Sequence, residues 1–313
     1  MDILPSFDRP QLGLKLALLS DRFDVLVDTH FDAKTTELTL WREITIQGRE
    51  SILSVRIDGT FMAFPLPDHP LPNKIRFHFL RIKCIDHSVL AFLRANQQIW
   101  DRSGINLKLY NENLQPIWDV LAREIWPIFA TNIRHLYFPK GAYLDNLRLH
   151  ISPTILTDLD QLTSIDSGRL LPDGIADDGP NATSGQALSK WLHTPSKNGQ
   201  PKQLHRKKFS CPLKLEWVNN FKEKFRHATT SVSYHIQLYF LVEPTPIGPF
   251  ELVNEVTKEK LTLKVSEEYN GALYNWLLQR SLIGETAKAA VKFDLRYGNN
   301  SGANLNKILI GLH

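Results

Sequence analysis

The chain has 313 residues, 42% of them hydrophobic and 22% charged, a balance that permits one large core or two domains and excludes a chain without a packed interior. Its 37 lysines and arginines against 33 acidic residues leave a formal charge of +4, too little for a chain of this length to predict a nucleic-acid partner. Two cysteines, Cys84 and Cys211, lie far apart, which excludes a disulfide framework and a local zinc motif and predicts a reducing compartment.

No stretch reaches the roughly 18 apolar residues of a membrane span. Met1-Asp2-Ile3-Leu4-Pro5 has neither the basic flank nor the apolar core of a secretory leader, so a cytoplasmic or nuclear protein with no membrane partner is expected. On that reading the sequons at Asn181 and Asn299 are chance matches.

From Pro10 onward, Leu12, Leu16, Leu19, Phe23 and Leu26 recur at alternating spacings of four and three, which predicts a helix with one apolar stripe. Pro10 suits the first turn of such a helix. Leu14 and Leu18 widen the apolar surface beyond that stripe, enough for two contacts, one with the chain's own body and one with a partner. A helix pair that only caps its own domain fits the same pattern.

Asp8-Arg9-Pro10-Gln11-Leu12 and Leu18-Leu19-Ser20-Asp21-Arg22-Phe23-Asp24-Val25-Leu26-Val27 resemble the second half of an F-box, where a short loop leads into a helix with an apolar-apolar-Ser/Asn-x-Arg-aromatic pattern. The whole chain resembles the F-box-type protein families of nematodes, in which this helix precedes a long recognition region. The resemblance implies a partial F-box whose Pro10, Leu12, Leu14, Leu16, Leu19, Phe23 and Leu26 face the adaptor of a cullin-RING ubiquitin ligase. It also implies that the remainder of the chain selects a protein substrate. Met1 stands close ahead of Pro10, and the usual opening Leu-Pro-x-Glu element is missing, so the expected F-box-like segment spans residues 1–31 only.

Further along, Leu38, Leu40, Ile44 and Ile46 alternate as in a strand, and Ile52–Ile57 with Phe61–Phe64 predict a hairpin turned at Asp58-Gly59. Four prolines between Pro65 and Pro72 end this segment, giving a hairpin and connector over 32–72. Strand-like runs then begin at Phe79, Ile105 and Ile133, 26 and then 28 residues apart, with helices predicted over Ser88–Trp100, Gln115–Phe129 and Leu144–Leu159 between and after them. That period lies in the range of leucine-rich repeats, whose units must stack to bury their apolar faces. The fold class expected is therefore α/β, an irregular leucine-rich-repeat-like scaffold over 73–247; a non-repetitive α/β domain with connections of similar length is the competing reading.

Within that scaffold, 167–185 reads as a long loop or flexible insertion, followed by a helix over Ser184–His193, a strand over Lys202–Phe209, a helix over Leu213–Phe225 and a strand over Val232–Val242. The basic run His205-Arg206-Lys207-Lys208 reads as a solvated strand or loop edge. Beyond Pro246, a hairpin around Glu255–Glu259 and strands near Tyr274–Leu278 and Val291–Leu295 predict a β-rich subdomain over 248–313.

Catalytic signatures are missing from the sequence: it contains no Gly-x-Ser-x-Gly, no phosphate-binding glycine loop and no His-Glu-x-x-His. Asp177-Asp178 reads as a turn pair, and His30, His87 and His150 as surface or structural residues. No catalytic residue, metal or cofactor is therefore expected. A protein-interaction module serving as a ligase substrate-recognition subunit is the leading expectation. The alternatives are a scaffold without ligase engagement and an α/β enzyme with a dispersed site.

Overall fold

The computed structural model describes residues 39–41, 43–47, 52–57, 60–67, 69–71, 76–77, 79–84, 86–101, 104–110, 118–138, 140–197, 199–206, 214–240, 247–269, 273–284 and 306–311, together with Arg22 and Leu26. The chain is mixed α/β and divides into two compact units, Met1–Ile133 with Asn304–His313, and Arg134–Ala303.

In the first unit, β1 (Thr39–Trp41), β2 (Glu43–Gln47), β3 (Ile52–Ile57) and β4 (Thr60–Pro65) precede two strands, β5 (Arg76–Phe77) and β6 (Phe79–Cys84). β3 and β4 form the expected antiparallel pair, with Ile57 opposite Thr60, while the turn expected at Asp58-Gly59 lies outside the described residues. β1 pairs with β5 in a small parallel sheet, while β2 lies between β3 and β6.

The strands expected from Phe79 and Ile105 start at those residues: β7 runs Ile105–Tyr110. They are not neighbours, however. The C-terminal strand β15 (Asn306–Gly311) pairs in parallel with both and separates them, so these two strand-helix segments do not stack directly. Its Ile308-Leu309-Ile310 run is the continuous apolar sequence that a strand between two parallel neighbours favours.

Three helices complete this unit: α1 (His87–Ala95), α2 (Gln97–Asp101) and α3 over 118–129. Asp86 caps α1, accepting from the Ser88 and Val89 amides at 3.1 Å. Burial works to raise the pKa of this carboxyl, but those hydrogen bonds outweigh it and hold it below the usual value. Buried Asn96 ends α1, its Oδ1 accepting from the Leu71 amide at 2.7 Å and its Nδ2 donating to Phe92 O, which ties the proline-rich connector to the helix. Within α3, a π-helical turn at Leu121–Ile125 precedes Trp126–Phe129. Pro127 has no N–H to return to the preceding turn, and a widened turn is how a helix absorbs such a missing bond.

The second unit opens with β8 (Ile133–Tyr137), followed by α4 (Gly141–His150), the short helix α5 (Ile155–Asp158), β9 (Ser164–Asp166), α6 (Ser184–His193), β10 (Lys202–Arg206), α7 (Leu215–Arg226) and β11 (Tyr234–Phe240). β8, β9, β10 and β11 are parallel and lie side by side in chain order. A β-meander, β12 (Phe250–Asn254), β13 (Glu259–Tyr269) and β14 (Leu273–Leu282), extends the sheet through β14 on β11. The strand expected at Val291–Leu295 lies outside the described residues.

Two expectations are corrected here. The single helix over 144–159 is two helices, because Pro153 cannot continue α4 and restricts the residue before it. The 167–185 segment is a long loop as far as Thr183, as one of its two expected readings has it, but it is held in place by hydrogen bonds and is no loose insertion. The guanidinium of buried Arg148 donates to Pro153 O at 3.0 Å, to Gly179 O at 2.7 Å and to Ala182 O, and Trp217 Nε1 donates to Pro172 O at 2.8 Å. The loop ends in a capping box in which Thr183 Oγ1 accepts from the Gln186 amide and Gln186 Oε1 from that of Thr183.

α6 and α7 pack on one face of the sheet. Lys202 Nζ donates at 2.5 Å to Trp191 O in the last turn of α6, where a cation meets the negative end of the helix dipole. His193 of α6 and Phe221 of α7 pack edge-on against Tyr234. Beneath α7, Arg280 Nη2 meets Glu259 Oε2 at 2.6 Å and donates to Thr230 O, while Glu259 Oε1 accepts from the Val232 amide. Both residues are within 2% of full burial.

Breaking that pair leaves an uncompensated charge in the interior, so Glu259→Ala is expected to lower the free energy of unfolding by about 3–5 kcal/mol, whereas Glu259→Leu combined with Arg280→Met recovers most of it. A denaturant double-mutant cycle measures the difference. A second expectation concerns acid. Burial, with the charges of Lys224, Arg280 and Lys202, lowers the pKa of His193 to about 4, against a hydrogen bond to Ser189 O that works the other way. The unfolded chain therefore takes up this proton first as pH falls below 6.5, and stability on the order of 2–3 kcal/mol is lost by pH 4. Unfolding free energies measured across that range should show a shallower acid limb in His193→Phe.

Candidate functional site

The sheet of the second unit is registered across six strands, and its side chains alternate between two chemically different faces. Leu136, Ile165, Leu204, Ile236, Leu278 and Leu263 form one row, all buried, on the side that meets α6 and α7. One residue back along β8 to β11, on the other face, the row reads His135, Ser164, Gln203, His235, Gln279 and Thr262. One residue forward it reads Tyr137, Asp166, His205, Gln237, Leu277 and Lys264. Parallel sheets are ordinarily apolar on both faces. Here the Leu136 row is wholly apolar, while the two rows that flank it on the other face are mainly polar.

The polar face is packed at its centre and open at its margin. His135, Ser164, Asp166, His205, His235 and Gln279 are buried; Tyr137, Gln203, Gln237 and Thr262 are half-buried; and Lys264 is exposed. His205 Nδ1 donates to Gln237 Oε1 at 2.9 Å, the acceptor dictating which ring nitrogen carries the proton. His135 Nε2 lies 3.8 Å from Asp166 Oδ2. Burial, and then the negative charge of Asp166, push the phenols of Tyr137 and Tyr239 above their ordinary pKa. His235 is lowered by burial first and then by the charges of Lys264 and His205.

Ser164, His135 and Asp166 are the residue types of a nucleophilic triad, and the register sets Ser164 beside His135. Ser164 Oγ nevertheless makes no hydrogen bond, and a serine nucleophile requires one to its base. Like Ser164 Oγ, the Nδ1 of His235 is buried without a partner. Such orphaned groups are rare because each forfeits its hydration without return. Among the described residues, no group of three or more His, Cys, Asp or Glu could hold a metal ion.

Of the residues that the sequence nominates for partner binding, Leu26 is helical and 45% exposed. Pro10, Leu12, Leu14, Leu16, Leu19 and Phe23 lie outside the described residues, as does His30. His205 and Arg206, expected at a solvated edge, are instead buried at the end of β10, an interior strand of the sheet, on its opposite faces. Asp177 and Asp178 are turn residues as expected: Asp177 accepts from the Gly179 amide and Asp178 from Thr157 Oγ1. His87 is exposed, and His150 half-buried.

Sequence reasoning missed the polar ladder. The signal was present in His-Leu-Tyr, Gln-Leu-His and His-Ile-Gln, three short polar-apolar-polar alternations within predicted strands. Their registration with one another is a long-range property. β9 was missed as well, being three residues long with no β-branched run.

No helix among the described residues is long and apolar enough to cross a membrane. No family model matches the chain, and no curated protein or solved structure matches it either.

If the orphaned hydroxyl of Ser164 is held for a ligand and not for stability, Ser164→Ala should raise the free energy of unfolding by up to about 1 kcal/mol, since it removes a polar group buried without a partner. Urea denaturation of the variant checks this, and a loss of stability would show that the hydroxyl belongs to a structural network.

Proposed function

We propose that this chain is a protein-recognition module, the substrate-selecting part of an F-box-type cullin-RING ubiquitin ligase or a protein derived from one, working in the cytoplasm or nucleus. The observation that carries the recognition reading is the accessible margin of the polar face of the second unit's sheet, where Tyr137, Gln203, Gln237 and Thr262 are half-buried and Lys264 is exposed. A row of parallel strands in chain order, each adding polar side chains to one surface, is how strand-helix scaffolds build an extended binding face. The ligase part of the reading rests on residues 8–12 and 18–27 and their resemblance to the second half of an F-box. An exposed leucine on a helix, as at Leu26, suits a surface that another protein covers.

On this reading Leu26→Asp abolishes association with the ligase adaptor while leaving the melting temperature unchanged, because the leucine is 45% exposed and its replacement opens no cavity. Co-purification of the full chain with the adaptor, paired with thermal unfolding, reads both quantities. Intact adaptor association in the variant rejects this helix as the docking face. Failure of the unaltered chain to bind leaves a recognition scaffold outside the ligase.

A further inference from the structure

We infer that Thr194 is a phosphorylation site for a proline-directed serine/threonine kinase, and that its phosphate uncaps the C-terminal end of α6. The inference goes beyond the recognition reading and stands whether or not that reading holds. Three Ser/Thr-Pro pairs occur in the sequence, Ser152-Pro153, Thr194-Pro195 and Thr245-Pro246, and the third residue after each hydroxyl is Ile155, Lys197 and Gly248 in turn. Only Thr194 has a base there. A kinase cleft with no acceptor for the amide that follows its target selects proline, which has no N–H to leave unsatisfied, and an acidic wall farther along selects a base.

Both determinants lie downstream of Thr194, in the loop between α6 and β10. Thr194 is extended, with φ −90° and ψ 128°, and leads the chain out of the helix. Pro195, Lys197, Gly199 and Gln200 are exposed. Lys197 Nζ lies 2.6 Å from Asp160 Oδ2, a surface pair of the kind that a competing carboxylate displaces at little cost. Thr194 is half-buried, and its Oγ1 donates at 2.8 Å to Lys190 O in a hydrogen bond exposed to solvent.

That bond gives the modification its consequence. The last carbonyls of a helix have no partner within it. In α6, Lys190 O accepts from Thr194 Oγ1, and Trp191 O accepts from the Thr194 amide at 3.2 Å and from Lys202 Nζ. Transfer of the γ-phosphoryl group of ATP forms the bond from Thr194 Oγ1 to phosphorus and breaks the bond from phosphorus to the bridging oxygen that leaves with ADP, while the hydroxyl proton passes to the carboxylate base of the kinase. Lys190 O thereby loses its donor. A group of about −2 charge then sits at the negative end of the helix dipole, which destabilises the last turn. Lys190, exposed and four residues earlier, neutralises part of this charge but does not restore the donor.

Incubating the folded full chain with a cyclin-dependent kinase, magnesium and ATP, and mapping the product by mass spectrometry, tests this. A single phosphate on Thr194 is expected, with Thr194→Ser a comparable acceptor. Pro195→Ala and Lys197→Ala, both at exposed positions, should each slow modification about tenfold, with melting temperatures confirming that the variants fold. In the phosphorylated chain the Thr194 amide should exchange with solvent about tenfold faster. Absence of phosphate on Thr194, under conditions that fully modify a reference peptide, overturns the inference. So does modification seen only after the chain is unfolded by heat, or a rate indifferent to both substitutions. A phosphorylated chain whose Thr194 amide exchanges at the unmodified rate overturns the uncapping.

Discussion

The period-two alternation of β-strands, held in one register across six of them, is the constraint on which the second unit depends. Leu136, Ile165, Leu204, Ile236, Leu278 and Leu263 align only because every pairing in the row agrees. A slip of one residue in any strand would turn its leucine or isoleucine toward the polar face and drive a histidine, serine or glutamine under the helices. The apolar row thus does two jobs. It supplies the core, and by excluding slipped registers it aligns the polar ladder behind it.

Charges under the helices reinforce that alignment. Lys202 lies in the register row of Tyr234 and Arg280, and each of the three is tied to a helix or the loop beside it: Lys202 to the end of α6, Tyr234 to the rings of His193 and Phe221, Arg280 to Thr230 O and the ring of Phe225. Lys202 is buried next to a carbonyl and carries a pKa lowered to about 8 by that burial. Glu259 and Arg280 pair β13 with β14 inside the meander, and through the Val232 amide and Thr230 O the same two side chains fasten it to the segment that enters β11. Such pairs are poor sources of net stability and good sources of uniqueness, since any other arrangement strands a charge in the interior.

The polar face has the opposite character. Ser164 Oγ and His235 Nδ1 are buried without partners, and His235 is kept from taking a proton by burial and by neighbouring positive charge. Each such atom forfeits its hydration without a hydrogen bond in return, which makes it a cost to the fold. The ladder and the clamp formed by Arg148 lie in the same unit: the clamp ties down the loop that leads into α6, and the ladder leaves hydrogen-bonding capacity unspent at Ser164 and His235.

What the sequence by itself determined was local. The pairing of β3 with β4, the strands from Phe79, Ile105 and Ile133, the helix over Ser184–His193 and the hairpin before Glu259 follow from turn chemistry, caps and periodicity, all of which act over a few residues. Tertiary structure alone decided that β15 separates β6 from β7, that His205 and Arg206 are buried and not solvated, and that six polar side chains from distant segments form one row. The physical reason is that strand order and register are settled by hydrogen bonds and packing between segments tens to hundreds of residues apart. A strand's own residues state that it will alternate, but not which neighbours it will alternate beside.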